Sequence, residues 1–545
     1  MRLATPYALL RRGSPDGWRA TAVLIALVAV LPLSVVLSSL LAPTGDAWRH
    51  IVDNLLADLL LNTLWLALGV GIGTAVLGVS LAWLTAACDF PGRRVFSWAL
   101  LLPLALPAYV TAFVAIGLLD FTGPLQTQLR SWFGPLTLPP IRSRGGVIAV
   151  MTLALYPYVY LLARNAFLTQ GKRALEAAQS LGHSPVSGFF RVALPMAKPW
   201  IVGGVMLALM ETLADFGTVA AFNYDTFTTA IYKAWYSLFS LTAASQLASV
   251  LIILVFALLL LEQRLRTGPR HTAAGRNAAR GQRIVLRGSR RWLAFAYAAL
   301  VLLAAFAIPM AQLALWATDA ISQDLDARYF GFLWHSLLLG AIAAATITAA
   351  GLLLSYAHRR HADLWTLIPV RIATLGYALP GTVLAVGVFI PIAWLDSHLV
   401  QAAQSWLHLE LGTVLKGTLL AMLLAYLVRF LAVGYNPVDS AMQRVTRNLD
   451  EASRTFGVSG AALLRRVHLP MLRGGMLTAA TLVFVDVMKE MPITLMTRPF
   501  GWDTLAVRIF EMTSEGEWER AALPAMALVL AGLVPVILLT RHAES

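Results

Sequence analysis

Four carboxylates stand inside two otherwise apolar runs. Glu211 and Asp215 lie in the first; Asp486 and Glu490, with Lys489 beside them, lie 275 residues later. Charge within an apolar span is expensive and usually marks an ion or substrate path. Residues four apart share one face of a helix, so each run offers a carboxylate pair. If the two runs are related by symmetry, the pairs face each other. Clustered carboxylates supply hard oxygen ligands that suit a multivalent cation. They could equally be partners for basic residues or polar backbone inside a bundle, Lys489 being the nearest. Other chemistry is missing. No Gly-x-x-x-x-Gly-Lys-Ser/Thr stretch cradles a nucleotide, no His-Glu-x-x-His binds zinc, and no nucleophile stands with a base. The ten histidines lack ligand spacing, and His183 and His468 read as surface residues. The single cysteine, Cys88, excludes an internal disulfide and a Cys-based zinc site, and reads as a small apolar residue at a helix end. The chain is therefore read as non-catalytic, with no metal and no cofactor of its own.

The elements that must hold these residues are membrane helices. The chain has 545 residues, 58% of them hydrophobic and 13% charged, and a mean hydropathy of +0.71. Its apolar runs are about 20 residues long, the length a helix needs to cross the hydrocarbon, and the alternating segments of a barrel are absent. Hydropathy places twelve spans, roughly 20–41, 58–86, 96–119, 145–168, 197–222, 244–262, 292–315, 334–357, 370–395, 411–435, 473–498 and 520–541. The net charge of +14 sits largely in alternate loops, so topology explains it better than nucleic acid does. Basic loops around Arg93/Arg94, Lys172/Arg173, Arg359/Arg360 and Arg465/Arg466 alternate with loops that are acidic or poor in Lys and Arg, the loop of Arg130, Arg142 and Arg144 being the exception. The positive-inside rule then makes both termini cytoplasmic. Arg11 and Arg12 precede an apolar run with no convincing cleavage site, so the first span reads as uncleaved.

The chain repeats itself. Glu176–Ala177–Ala178–Gln179–Ser180–Leu181–Gly182, with Pro195 beyond, matches Glu451–Ala452–Ser453–Arg454–Thr455–Phe456–Gly457, with Pro470 beyond, at the same offset of 275. Each copy reads as a short helix ended by Gly as C-cap, then an amphipathic segment ending at Leu–Pro. Leu106–Pro107 matches Leu379–Pro380, and Asn62 matches His335, at 273. Thr229/Thr504 and Lys233/Arg508 keep the offset of 275 beyond the carboxylates. These later stretches read as an external docking face or as helices resting at the interface, with Trp235 and Trp502 as belt residues. The fold class is therefore all-α integral membrane protein, about twelve helices in two homologous six-helix halves about a pseudo-two-fold axis along the membrane normal. Residues 1–262 form the first half, with its polar repeat at 172–198. Residues 292–545 form the second, with its repeat at 447–473. The linker 263–291 carries nine Arg and reads as a solvated connector or a binder of anionic headgroups.

The twin polar repeats resemble the EAA loop of ABC-importer permeases. Leu106–Pro107–Ala108–Tyr109–Val110, Leu213–Ala214–Asp215–Phe216–Gly217–Thr218, Lys489–Glu490–Met491–Pro492 and Arg498–Pro499–Phe500 with Asp503–Thr504–Leu505–Ala506 resemble the iron(III) permease group within it. Ser453 departs from the pattern by replacing the second Ala, small for small. The resemblance implies an inner-membrane permease that passes iron(III) from an extracytoplasmic binding protein. Two copies of a cytoplasmic ABC ATPase, carrying ATP and Mg, would drive it. Glu176, Ala177, Ala178, Gly182, Pro195, Glu451, Ala452, Gly457 and Pro470 would couple to those ATPases, and Glu211, Asp215, Asp486 and Glu490 would line the pathway. Similar permeases import thiamine, polyamines or phosphonates. The rival from another class is a twelve-span secondary transporter, which has no need of twin EAA loops.

Overall fold

The computed structural model describes residues 17–43, 45–135, 138–171, 182, 184–266, 283–361, 363–408 and 412–544. Glu176, Ala177, Ala178 and His183, and most of the linker, lie outside the described residues. The apolar runs form helices: α1 Gly17–Ser38, α2 Leu56–Ala87, α3 Ala108–Leu119, α4 Arg144–Ala166, α5 Leu194–Ala214, α6 Phe227–Tyr236 and α7 Leu241–Arg266. After the linker come α8 Ser289–Leu302, α9 Ile308–Asp324, α10 Ala327–Arg360, α11 Leu364–Ala373, α12 Gly381–Leu407, α13 Leu419–Arg444, α14 Arg447–Thr455, α15 Arg473–Lys489, α16 Leu505–Ser514 and α17 Trp518–Glu544. Among the described residues ten helices are long and apolar enough to cross a membrane, or eleven if a pair bent by 77° at Leu472 counts as one span. The last of the twelve expected segments, 520–541, lies in α17. The linker is not wholly solvated. Ile284 and Val285 pair in parallel with Cys88 and Asp89 just beyond α2, and Cys88 itself is buried.

Two pairs of spans that hydropathy reads as continuous are broken, at equivalent places. Leu106 and Leu379 are extended (ψ 126° and 137°), and Pro107 and Pro380 then open α3 and α12. A proline drives the residue before it out of the helical region and cannot itself donate. The second break follows α5 and α15. Asp215 and Glu490 are extended (ψ 132° and 115°), and short helices Gly217–Ala221 and Pro492–Thr497 follow. Glu211 and Asp215 therefore do not share one continuous helix, and neither do Asp486 and Glu490. Non-helical backbone at this depth is tolerated where it lines a cavity, and it does so here.

The halves are interleaved rather than side by side. Ala22, Ala26 and Ala29 form a stripe of buried small residues on α1. Such a stripe lets backbones approach closely, which substitutes in lipid for the missing hydrophobic driving force. It seats α1 against α10, α11 and α12 of the second half, where Arg19 bonds Asp363 and Trp18 meets Tyr356 edge-on at 4.6 Å. Reciprocally, α9 brings Trp316 against Gly117 of α3.

Candidate functional site

The two helix breaks meet around one cavity of about 630 Å³. Glu211, Asp215, Asp486 and Glu490 all line it, although they come from segments 275 residues apart. The four are not equivalent in use. Asp215 accepts from the N–H of Thr218 (2.9 Å) and of Val219 (3.2 Å) and from the Thr218 hydroxyl (2.9 Å), so it caps the short helix after the break. Glu490 does the same for its own short helix, accepting from Ile493 N–H at 3.1 Å. A carboxylate at a helix N-terminus satisfies otherwise orphaned donors. Glu211 and Asp486, one turn earlier, are left turned to the cavity. The Tyr377 hydroxyl donates to Glu211 at 3.4 Å.

The cavity holds a cation that the repeat does not disclose. Arg429 of α13 lines it, with Nε 3.4 Å from Glu490 Oε2 and both side chains largely buried. Lys489 does not pair with its carboxylate neighbours as the sequence suggests; its Nζ donates to the Leu104 carbonyl at 3.1 Å. The positions 275 residues before Arg429 and Lys489 are Ala154 and Ala214, which line the same cavity. Four carboxylates thus face two cations, and both cations belong to the second half. A lone arginine in an apolar run was a legible signal; a search for repeated charges passes over it. Tyr109, Tyr158 and Tyr377 add phenols to the wall. No group of three His, Cys, Asp or Glu among the described residues could hold a metal ion.

Beyond the breaks aromatic and apolar side chains pack together. Phe216 and Met491 are buried, and Phe216 packs against Tyr232 (5.3 Å) and Phe510 (5.4 Å). Here the offset shifts. The helices α6 and α16 start from Thr226 and Thr504, which are 278 apart, so Thr229/Thr504 and Lys233/Arg508 are not structural equivalents. Independent contacts agree. Asn62 donates to the Asp225 carbonyl at 3.2 Å, and a His335 ring nitrogen lies 3.1 Å from that of Asp503. Three extra residues in the second loop account for the shift. Ion pairs brace both loops, Lys233 to Asp225 at 2.6 Å and Arg498 to Asp503 at 2.9 Å. Of the expected belt residues, Trp502 stacks on His335 and Trp235 packs on Phe389.

At the other end lie the arms. Gly457 follows α14 at φ +75°, its N–H bonded to the Arg454 carbonyl, with Val458 N–H bonded to that of Ser453 (both 2.9 Å). This is a Schellman cap, which glycine adopts without steric penalty. Gly182 has φ +83°. Both arms return through a π-helical turn at matching positions, Phe189–Ala193 and Leu464–His468. Pro195 continues into α5, whereas Pro470 precedes the 77° bend. His468 is not a surface residue: it is 1% exposed, with Nε2 2.8 Å from Asp450 Oδ1. Arg359 completes the cluster, bonding Asp450 at 2.8 Å and the carbonyls of Met442 and Val445 at 2.9 Å. Burial tends to raise the Asp450 carboxyl, but the bonds from His468 and Arg359 outweigh it and hold the group below its ordinary range. At the equivalent places the first half has Ala86 and Ala193, so the two arms rest on different supports.

Sequence comparison accounts for this arrangement. The profile of the family described as "Binding-protein-dependent transport system inner membrane component" matches residues 76–264 and 336–543. The Fe(3+)-transport system permease protein FbpB 2 of Haemophilus influenzae is 27% identical over 493 residues, 90% of each chain. The molybdenum transport system permease protein ModB of Escherichia coli is 31% identical over 33% of this chain and 79% of its own. The sulfate transport system permease protein CysT of a Synechocystis strain is 27% identical over 37% and 70%. With that domain present twice, interleaved about one charged cavity, the chain belongs to the binding-protein-dependent transport system inner membrane components and is a two-half membrane permease.

Proposed function

We propose that this chain is the permease of an ABC importer for iron(III). It would take its cargo from an extracytoplasmic binding protein and work with two cytoplasmic ATPase subunits. The observation that carries the reading is the cavity at the junction of the halves, where carboxylates and phenols converge below a buried aromatic closure. Oxygen donors of this kind suit a hard trivalent ion, and the Haemophilus influenzae relative that spans 90% of the chain is an Fe(3+)-transport permease. Cargo in the cavity would interact with Glu211 and Asp486, the two carboxylates not committed to capping. Phe216, Met491 and Phe510 would separate to admit it from outside. The arms around Gly182 and Gly457 would carry ATPase closure to α5 and α15, a shift between two discrete packings rather than a continuous deformation. Both termini are cytoplasmic in this reading.

Arg429 and Lys489 favour a second reading, an oxyanion cargo, and two relatives are named for molybdenum and sulfate transport. Uptake into proteoliposomes containing the chain, its ATPase and its binding protein separates the two. Radiolabelled iron(III), molybdate and sulfate are compared, with thiamine, a polyamine and a phosphonate alongside. ATP-dependent iron uptake that is lost in Glu211→Gln with Asp486→Asn, while basal ATPase activity persists, supports the iron path. Iron uptake unchanged in that variant removes the carboxylates from the path, and uptake of another cargo alone overturns the iron assignment.

A further inference from the structure

A second cavity, of about 580 Å³, lies in the elbow of the bent arm, between α10 and α15. Arg465 and Arg473 stand in its wall beside Leu469 and Leu477, and its floor includes Ala345, Ala349 and Thr348. Its volume falls in the range of small-ligand sites, roughly 300–1,000 Å³. The stripe that α15 gives this groove centres between Met476 and Leu477; the stripe it gives the central cavity centres between Val485 and Asp486. Nine residues at about 100° each place the two on opposite faces of the helix. The groove therefore opens on the outside of the bundle, where Leu477 is half exposed.

We propose that this groove binds an anionic phospholipid of the leaflet on the arm side. A phosphodiester would lie between the two guanidiniums, and an acyl chain would follow the alanines. The charge is complementary: both arginines are exposed, neither has an ion pair among the described residues, and no carboxylate lines the groove. Arginine is the side chain best shaped to grip a phosphate, and basic pockets between membrane helices on one leaflet select anionic headgroups. The Thr348 hydroxyl is a second sign. It is buried in the wall with no hydrogen-bond partner among the described residues, so it can donate to a glycerol ester carbonyl. The repeat shows that the groove belongs to the second half alone. Where α10 has Ala345 and Ala349, α2 has Ile72 and Val76, and the counterparts of Arg465 and Arg473 are Phe190 and Lys198. Because Arg465 and Arg473 flank the bend at Leu472, a lipid bridging them would hold the angle of one coupling arm and leave the other untouched.

The test is lipid retention by the full-length chain. Protein from nanodiscs of mixed phosphatidylcholine and phosphatidylglycerol is extracted in detergent and weighed by native mass spectrometry. The expected result is retained phosphatidylglycerol, enriched about tenfold over phosphatidylcholine. It should be lost both in R465Q/R473Q and in A345L/A349L, which fills the groove with the charges intact. Each variant tests the proposal without the other, so misfolding of one leaves it open to refutation. Equal retention of both lipids, phosphatidylglycerol retained at the normal level in A345L/A349L, or displacement by millimolar inorganic phosphate would overturn it. So would an ATPase subunit protecting the groove while no phospholipid is retained.

Discussion

Replacing Gly381 with alanine tests whether the charged side of the cavity is built as described. Gly381 opens α12 just after the Leu379–Pro380 break. A Cβ there would lie 2.5 Å from Arg429 Nη1, 2.6 Å from Glu490 Oε1 and 2.9 Å from Pro492 Cγ. The methyl would have to enter between the partners of a buried ion pair. Overpacking of this kind costs about 1–3 kcal/mol, and full separation of a buried pair about 3–5 kcal/mol. The chain supplies its own control. Position 108, the equivalent in the first half, is alanine, and there the counterpart of Arg429 is Ala154. Gly381→Ala should therefore lower the thermal stability of the purified chain and its ATP-dependent transport. Arg429→Ala alone should cost more, because it leaves Glu490 buried beside the break. In the double variant the alanine no longer meets the guanidinium, and the Glu490 side chain, no longer held by Arg429, can turn aside, while the contact with Pro492 remains. The double should therefore be more stable than the sum of the two single losses. The coupling of about 1–3 kcal/mol is read from scanning fluorimetry of all four proteins. Gly381→Ala as stable as the parent, or a double variant equal to the sum of the singles, would refute the packing argument.

Four further outcomes follow from the arms and the loops. Valine at both Gly182 and Gly457 should cost about 1–2 kcal/mol per site for the left-handed backbone alone, since nothing among the described residues lies within 4 Å of either position. Transport should fall with membrane insertion normal, and normal transport by an assembled complex would remove the arms from coupling. Asp450 is held below its unfolded pKa, so its stabilisation is complete above the ordinary aspartate range and is lost as pH falls through the depressed value. Asp450→Asn should accordingly flatten the acid side of the stability profile, and profiles that run parallel contradict the cluster. Burial pushes the Cys88 thiol up to about 11. Maleimide at pH 8 should label it slowly in the folded chain and fully after denaturation. In a Cys88-free background, cysteine at Ser187 or Ser459 should react with a membrane-impermeant thiol reagent from the cytoplasmic side only; labelling by that reagent from outside intact cells overturns the orientation.

The amino-acid sequence by itself determined the class, the two-fold repeat and the place of the carboxylates within apolar runs. Apolar length and loop charge are properties of the chain taken in order, and an offset of 275 survives without any knowledge of packing. It could not determine that Asp215 and Glu490 would end their helices. Whether a carboxylate caps a new helix or continues the old one depends on a cavity into which freed backbone can turn. Nor could it show that Arg429 would join the four acids, because Ala154 answers it in the other half and only the crossing of α13 over the break brings the charge there. The same holds for His468, an ordinary loop histidine in order of sequence and a buried partner of Asp450 in space. The shift of the offset to 278 was concealed by a chance match of Thr229 with Thr504, and cap geometry resolved it. Periodicity and repetition are local and linear, so the chain carries them openly. Which charges gather in the cavity is set by how α5, α13 and α15 meet around the two breaks, and that exists only once the halves are packed.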